Sequence, residues 1–189
     1  MTRLRSGDEE AFRFVVDRYH CSLLRLARTM VPSRAVAEEV VQDTWLGLVR
    51  GIQRFEGRSS LRTWLFHVLV NRARTTGTRE RRPSMGVSAG PAVDHARFRP
   101  DGEWADPPVP WPEEVDDRLV AAQLAERVRR RLDELPEMQR QVVILRDVEG
   151  MGAEDVCDLL GLTEGNQRVL LHRGRSRLRG MLELEMGKA

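Results

Sequence analysis

From Ala11 to Met30 the apolar side chains Phe12, Val15, Val16, Tyr19, Leu23, Leu26, Ala27 and Met30 recur at intervals of three and four, the spacing of one helix face, and Pro32 ends the run. A second helix is predicted behind Ser33, a good N-cap, because Val36, Val40, Val41, Thr44, Trp45, Leu48, Val49 and Ile52 carry the stripe forward. The segment Phe55–Ser60, FEGRSS, breaks it with a glycine and two hydroxyl side chains. Leu61, Trp64, Leu65, Val68 and Leu69 then open a third helix that runs on into Arg72, Arg74, Arg79, Arg81 and Arg82. Positive charge at that end suits the negative pole of a helix dipole. Trp64 is in phase with Leu61 and Val68 and is expected in the core rather than as a stacking surface.

The same period returns later in the chain. Leu119, Val120, Leu124 and Val128 stripe one helix, Leu135-Pro136 breaks it, and a second runs from Met138 to Val148, closed by Gly150. A short helix from Ala153 to Leu160, a turn at Gly161-Leu162-Thr163 and a longer helix from Glu164 form a helix-turn-helix pattern, with Thr163 placed to cap the last helix. From Glu164 to Arg179 that helix sets Arg168, Arg173, Arg175, Arg177 and Arg179 against a single acid, Glu164. Such a positive excess attracts a phosphate-bearing partner.

Between the two helical flanks the material changes. Residues 86–117 hold Pro91, Pro100, Pro107, Pro108, Pro110 and Pro112, with Pro83 at the edge, and proline at this density removes donors and blocks helix. The chain therefore reads as all-α, with two small helical domains at 1–85 and 118–189 joined by a flexible linker. The net charge of +2 divides along the same lines: 16 basic against 9 acidic residues in 1–85, 2 against 8 in 86–117 and 13 against 12 in 118–189. The linker is acidic and both flanks are not.

A length of 189 residues fits one ordinary domain or two small ones and excludes a large catalytic scaffold. The apolar runs are too short for a membrane span or a signal peptide, so a soluble, cytoplasmic chain without membrane insertion is expected. Cys21 and Cys157 belong to no Cys-x-x-Cys pair and stand at no ligand spacing from His20, His67, His95 or His172. No metal and no cofactor is expected, and both thiols are expected to pack as small apolar groups. Thirty of the 31 basic residues are arginine, whose planar fork suits phosphates and base edges.

In their order and spacing, GDEEAFRFVVDRYH (7–20), AEEVVQDTWLGLV (37–49), FEGRSSLRTWLFHVLVNRAR (55–74), LDELPEMQRQVVILRDVEGM (132–151) and TEGNQRVLLHRGRSRLR (163–179) resemble the sigma subunits of bacterial RNA polymerase. The resemblance is to the small extracytoplasmic-function (ECF) type of the sigma-70 family, which keeps only regions 2 and 4. It covers nearly all of the chain outside the linker. It implies a promoter-specificity factor, not an enzyme, built from a region 2 helical bundle and a region 4 helix-turn-helix.

The resemblance also implies roles. Glu39, Gln42, Asp43 and Leu46 would dock on the clamp helices of the largest polymerase subunit, and their spacing puts them on one helical stripe. Phe55, Gly57, Arg58, Ser59 and Ser60 would hold a base flipped out of the minus-10 element, with Asn71, Arg72 and Arg74 on neighbouring bases and phosphates. Asn166, Arg168, Val169, His172 and Arg173 would read the minus-35 duplex in the major groove, Arg168 or Arg173 pairing with guanine. Here Asn166-Gln167-Arg168-Val169-Leu170 departs from the family's usual Thr-Val-Lys-Ser-Arg, with Gln167 at a commonly buried valine and Leu170 at a commonly basic position.

Implied partners are core RNA polymerase, at its clamp helices and flap, promoter DNA, and an anti-sigma factor. The acidic linker would thread the polymerase toward the RNA exit channel, with Trp104 and Trp111 as anchors. Two other functions fit the residues less well. A stand-alone helix-turn-helix regulator would leave the first half of the chain unexplained, and a nuclease built on Glu38, Glu39 and Asp43 lacks a converging ligand set.

Overall fold

The computed structural model describes residues 1–80 and 118–186, so the expected linker at 86–117, the boundary at 85, and Arg81 and Arg82 lie outside the described residues. Among the described residues every regular element is helical: α1 (Thr2–Arg5), α2 (Glu9–Ala27), α3 (Arg34–Gly51), α4 (Leu61–Glu80), α5 (Arg118–Asp133), α6 (Glu137–Val143), α7 (Ala153–Leu160) and α8 (Glu164–Met186). By packing they fall into two compact units, one made of the described residues up to 80 with Ile144–Gln167, the other of 118–143 with Arg168 onward.

In the first unit α2, α3 and α4 bury much of the stripes seen in the sequence, Leu23, Leu26 and Ala27 from α2, Val40, Val41 and Leu48 from α3, and Leu65 and Leu69 from α4, together with Ala37, Phe66, Val70 and Ala73, which those stripes left out, while Leu61, Trp64 and Val68 are half-buried. Among its buried polar side chains, Thr29 Oγ1 donates to the Leu26 carbonyl (2.7 Å) and Thr44 Oγ1 to the Val40 carbonyl (2.8 Å), each bonding back one turn. Helices α3 and α4 approach closely because Gly47 and Gly51 have no side chain. A Cβ at either would lie 3.0 Å from Val68 Cγ1 or the Trp64 ring. The caps are local. Ser33 Oγ accepts from the Val36 N–H at 3.2 Å, and Ser60 Oγ accepts from the Thr63 N–H at 3.0 Å.

Several details differ from the sequence reading. The short α1 carries no apolar period, and it is fixed instead by polar contacts: Asp8 caps α2 by accepting from the Ala11 N–H (3.0 Å) while Arg3 reaches Asp8 (2.7 Å) and Glu10 (2.9 Å). The Arg3 guanidinium, with the Ala11 N–H second, holds the Asp8 carboxyl below its ordinary range. Helix α2 ends at Ala27, before Met30. Val49 is 57% exposed although its spacing admits it to the α3 stripe. Cys21, expected to pack as an apolar group, is exposed because it falls out of phase with Val15, Tyr19, Leu23 and Leu26. Cys157 is buried as expected, and desolvation, followed by Glu164 and Asp158, pushes its thiol up.

The predicted helix from Met138 to Val148 changes character halfway. After α6 the residues Ile144–Val148 form a wider π turn, with the Glu149 N–H donating to the Ile144 carbonyl at 2.8 Å. Gly150 then leaves at φ +62°, and Arg146 donates to the Met151 carbonyl. Helix α7 ends on Gly161 in the left-handed conformation (φ +68°), which a residue with a Cβ adopts only with strain, and Thr163 Oγ1 caps α8 by accepting from the Asn166 N–H (3.3 Å). The helix-turn-helix boundaries match the sequence pattern.

In the second unit Leu132 at the end of α5, Leu135 just beyond it, and Val142 and Val143 on α6 are buried, as is Leu171 on α8. Gly174 lets α8 close on α6: a Cβ there would meet Val143 Cγ2 at 2.6 Å and the Gln139 carbonyl at 3.4 Å. Arg131 ties the chain ends of the unit, pairing with Glu185 at 2.9 Å and Glu134 at 2.6 Å. That contact holds the Glu185 carboxyl below its ordinary range.

Candidate nucleic-acid interface

The outer face of α3 is the one opposite Ala37, Val40, Val41, Thr44 and Leu48. Glu39, Gln42 and Leu46 are exposed on it and Asp43 is half-exposed, as a rise of 100° per residue requires. Leu46 is 49% exposed, and Val49, one turn further, joins it to make an apolar pair inside a polar rim. Val49 is the residue the sequence reading missed here. Its spacing of three from Leu46 and seven from Gln42 was the available signal. Asp43 has one ionic neighbour of modest strength, Arg72 Nη1 at 4.0 Å, both side chains about half exposed.

The loop Phe55–Ser60 is anchored at both ends. Phe55 is 8% exposed and its ring packs on Trp64 with centroids 5.4 Å apart, while Arg5 donates to its carbonyl. A stacking surface for a base is therefore not what the Phe55 ring offers in this conformation. Its burial is what fixes the loop's start, and Trp64, expected in the core, is half-buried against it. At the other end the Ser60 hydroxyl is occupied by the cap of α4 and by Thr63 Oγ1 at 2.8 Å. Between them Gly57 has φ +75°, and Arg58 and Ser59 are exposed, with Arg58 paired to Glu56 at 2.7 Å.

Along α4, Asn71, Arg72 and Arg74 are exposed beyond the buried Leu69, Val70 and Ala73. Arg74 Nη2 donates to the Leu159 carbonyl at 3.2 Å.

On α8 the buried side consists of Gln167, Leu171 and Gly174, and the opposite side presents Asn166, Arg168, Val169, His172 and Arg173, all exposed. Arg168 and Arg173 pair with no acid among the described residues, so their forks are open to an outside acceptor. Gln167 occupies a core position at 4% exposure, and its Nε2 has no partner among the described residues. The departure from the family's usual string thus leaves a polar atom unsatisfied inside while the outward side keeps its basic character.

Residues 15–82 match the family Sigma-70 region 2, and residues 125–178 match the family Sigma-70, region 4. The chain belongs to the sigma-70 family. Relatives over its length are the ECF RNA polymerase sigma-E factors of Salmonella typhimurium and Escherichia coli, each 28% identical over 175 residues, covering 92% of this chain and 87% of theirs. That of Haemophilus influenzae is 26% identical over 183 residues, 96% and 92% of the two chains. The sigma factor thus falls in the ECF group.

Its fold is that of CnrH solved in complex with the cytosolic domain of CnrY (TM-score 0.57, 22% identity, 97% of this chain and 94% of that one). It is also that of the sigma factor RpoE solved with the anti-sigma factor NepR from Bartonella quintana (TM-score 0.60, 22% identity, 92% and 98%). As a sigma factor the protein is a DNA-binding transcription-initiation factor whose partners are core RNA polymerase and promoter DNA, and its family is not one of enzymes. A stand-alone regulator is not favoured, because region 2 is present as well as region 4. Among the described residues no three metal-ligating side chains converge, and no helix is long and apolar enough to cross a membrane.

Proposed function

We propose that this sigma factor divides its work among three surfaces, with residues 1–85 as the polymerase and minus-10 module, 118–189 as the minus-35 module, and 86–117 as the acidic tether between them. Glu39, Gln42, Asp43 and Leu46, joined by Val49, dock on the clamp helices of the largest polymerase subunit. An apolar pair within a charged rim is the usual make-up of a protein interface. Region 4 docks on the polymerase flap. Gly57, Arg58 and Ser59 hold an unpaired minus-10 base, Phe55 and Ser60 brace that loop from its two ends, and Asn71, Arg72 and Arg74 take neighbouring bases and phosphates.

On the duplex, Arg168 or Arg173 pairs with guanine, Val169 and His172 lie on base edges beside them, and Asn166 lies near phosphate. The factor acts in the cytoplasm, where its polymerase is, and is held in check by an anti-sigma factor, in keeping with the neighbour solved with NepR. The observation that carries this reading is the exposure of Glu39, Gln42 and Leu46 on α3, of Asn71, Arg72 and Arg74 on α4, and of Asn166, Arg168, Val169, His172 and Arg173 on α8, each on a helix whose opposite side is buried. Purified chain added to core polymerase, with the 5′ ends of transcripts from genomic DNA sequenced, is expected to give a discrete set of starts sharing two upstream elements. Absence of both specific starts and core binding overturns it.

A further inference from the structure

The loop Phe55–Ser60 starts where helical hydrogen bonding stops. The Phe55 N–H still donates to the Ile52 carbonyl (3.3 Å), closing the 3-10 turn Ile52–Arg54, but at Phe55 the backbone turns extended (φ −70°, ψ 111°). Its carbonyl is therefore left without a donor from the helical ladder, in a residue only 8% exposed. Arg5, fifty residues earlier, supplies one through its guanidinium, and the Gln53 side-chain amide donates back to the Arg5 carbonyl. A charged donor makes the stronger kind of hydrogen bond.

Helix α1 is built to deliver that arginine. Arg3 and Arg5 stand two residues apart, about 200° around the helix, so they point to opposite sides. Arg3 fastens one side to the start of α2 through Asp8 and Glu10, and Arg5 reaches the loop from the other. Gly7, at φ +77°, makes the turn between the two helices. This strut lies ahead of residues 15–82, the part that matches region 2.

We propose that Arg5 is a positioning residue for the minus-10 loop. Arg5 holds the Phe55 carbonyl while Trp64 holds the ring, and together they fix where the loop starts and which way it leaves. Gly57, Arg58 and Ser59 then present their donors in one geometry before a base arrives, so little ordering is left to be done on binding. Without Arg5 the ring contact remains, and the loop swings about that point instead of unfolding. Arg5 acts through Phe55 and does not itself touch the strand. The effect on DNA rests on the role proposed for the loop; the bracing of Phe55 does not.

The test uses holoenzyme, the full chain on core polymerase, at a promoter with a mapped start. Each of the four bases, or 2-aminopurine, is placed at the minus-10 position that opens. Arg5→Ala should lower both the preference for the favoured base and the rate at which the aminopurine signal rises by about tenfold, with core binding and minus-35 duplex binding unchanged. In the free chain the amides of residues 56–59 should exchange faster in Arg5→Ala while those of α3 and α4 hold, which separates a loosened loop from an unfolded domain. Gln53→Ala breaks only the return contact; it should move base preference in the same direction by less, and it decides the matter if α3 and α4 do not hold in Arg5→Ala. Unchanged base preference in Arg5→Ala overturns the proposal. So does a salt dependence of binding whose slope falls by about 0.7, the mark of one lost phosphate contact, because it puts Arg5 on the strand itself. The double variant Arg58→Ala/Ser59→Ala tests the loop separately. If it too leaves base preference unchanged, the loop's role fails; if it lowers the preference where Arg5→Ala does not, the brace alone fails.

Discussion

Gly174 offers a sharp test of how region 4 is packed, because the same substitution on the same helix should have opposite signs at two positions. Replacing a helix-interior glycine by alanine gains about 1 kcal/mol from backbone entropy alone. At Gly180 no described atom lies within 4 Å of the new Cβ, so Gly180→Ala should keep that gain. At Gly174 the Cβ arrives 2.6 Å from Val143 Cγ2 and 3.4 Å from the Gln139 carbonyl oxygen. Val143 is buried and β-branched, so it has no other rotamer at hand, and α6 and α8 must separate by nearly 1 Å. Overpacking on that scale costs about 1–3 kcal/mol, which exceeds the helix gain. Gly174→Ala should therefore destabilise by about 1 kcal/mol, and the two variants should differ by about 2 kcal/mol. Val143→Ala in the Gly174→Ala background should recover part of the loss, as contacting residues couple.

Hydrogen exchange of α6 and α8 amides in the full chain is the appropriate assay, since all four tryptophans lie before residue 118 and fluorescence does not see this region. Equal stabilisation by the two alanines would refute close packing at Gly174.

Three other outcomes follow from the geometry. Gln167→Leu removes a buried nitrogen with no partner and should raise the exchange protection of α7 and the start of α8 by about 1 kcal/mol, whereas a loss of protection shows that Nε2 is satisfied after all. Arg173→Ala should weaken minus-35 binding by about 1–3 kcal/mol and leave core binding intact, while Asp43→Ala should do the reverse, both read by polymerase pull-down and duplex binding, with exchanged phenotypes breaking the assignment. Because the folded-state pKa of Asp8 is lowered by Arg3, its contribution is fully present above the unfolded carboxylate value near ~3.9 and is lost as pH falls through the folded one; Asp8→Asn, which keeps a capping oxygen, should flatten that acid limb in circular dichroism, and identical limbs in both proteins contradict it.

The fold was legible wherever a long stripe met a strong stop. Ser33, Gly150, and Gly161 with Thr163 each mark a boundary by chemistry that acts within a few residues, and the structure keeps them, whereas α2 stops at Ala27, ahead of Pro32. What escaped has no local signal. Helix α1 is held by Arg3 against Asp8 and Glu10 and by Arg5 on the Phe55 carbonyl, contacts that depend on where distant chain arrives. The π turn at Ile144–Val148 overlaps the end of the apolar run Val142–Leu145, and a helix that widens by one residue leaves the periodicity almost unchanged. Gly174 reads in sequence as a weak spot in a helix, and only the position of Val143 turns it into a packing requirement.

For the candidate site the useful information lay in phase, and its errors lay at the margins of an arc. On α3 the core spans Ala37, Val40, Val41, Thr44 and Leu48, and Val49 sits just past its edge, so an apolar residue there is ambiguous between core and interface. Its exposure takes it out of the core and sets it beside Leu46, which is why it joins the proposed docking surface. The converse holds at Phe55. Its place in a glycine- and serine-rich loop suggests an open aromatic, yet Trp64 reaches it from α4 and takes its face. If the loop holds a single unstacked base, as proposed, it needs rigid ends more than another ring, and with Phe55 buried at one end and Ser60 capping α4 at the other, Gly57, Arg58 and Ser59 are the part the proposal gives to the strand.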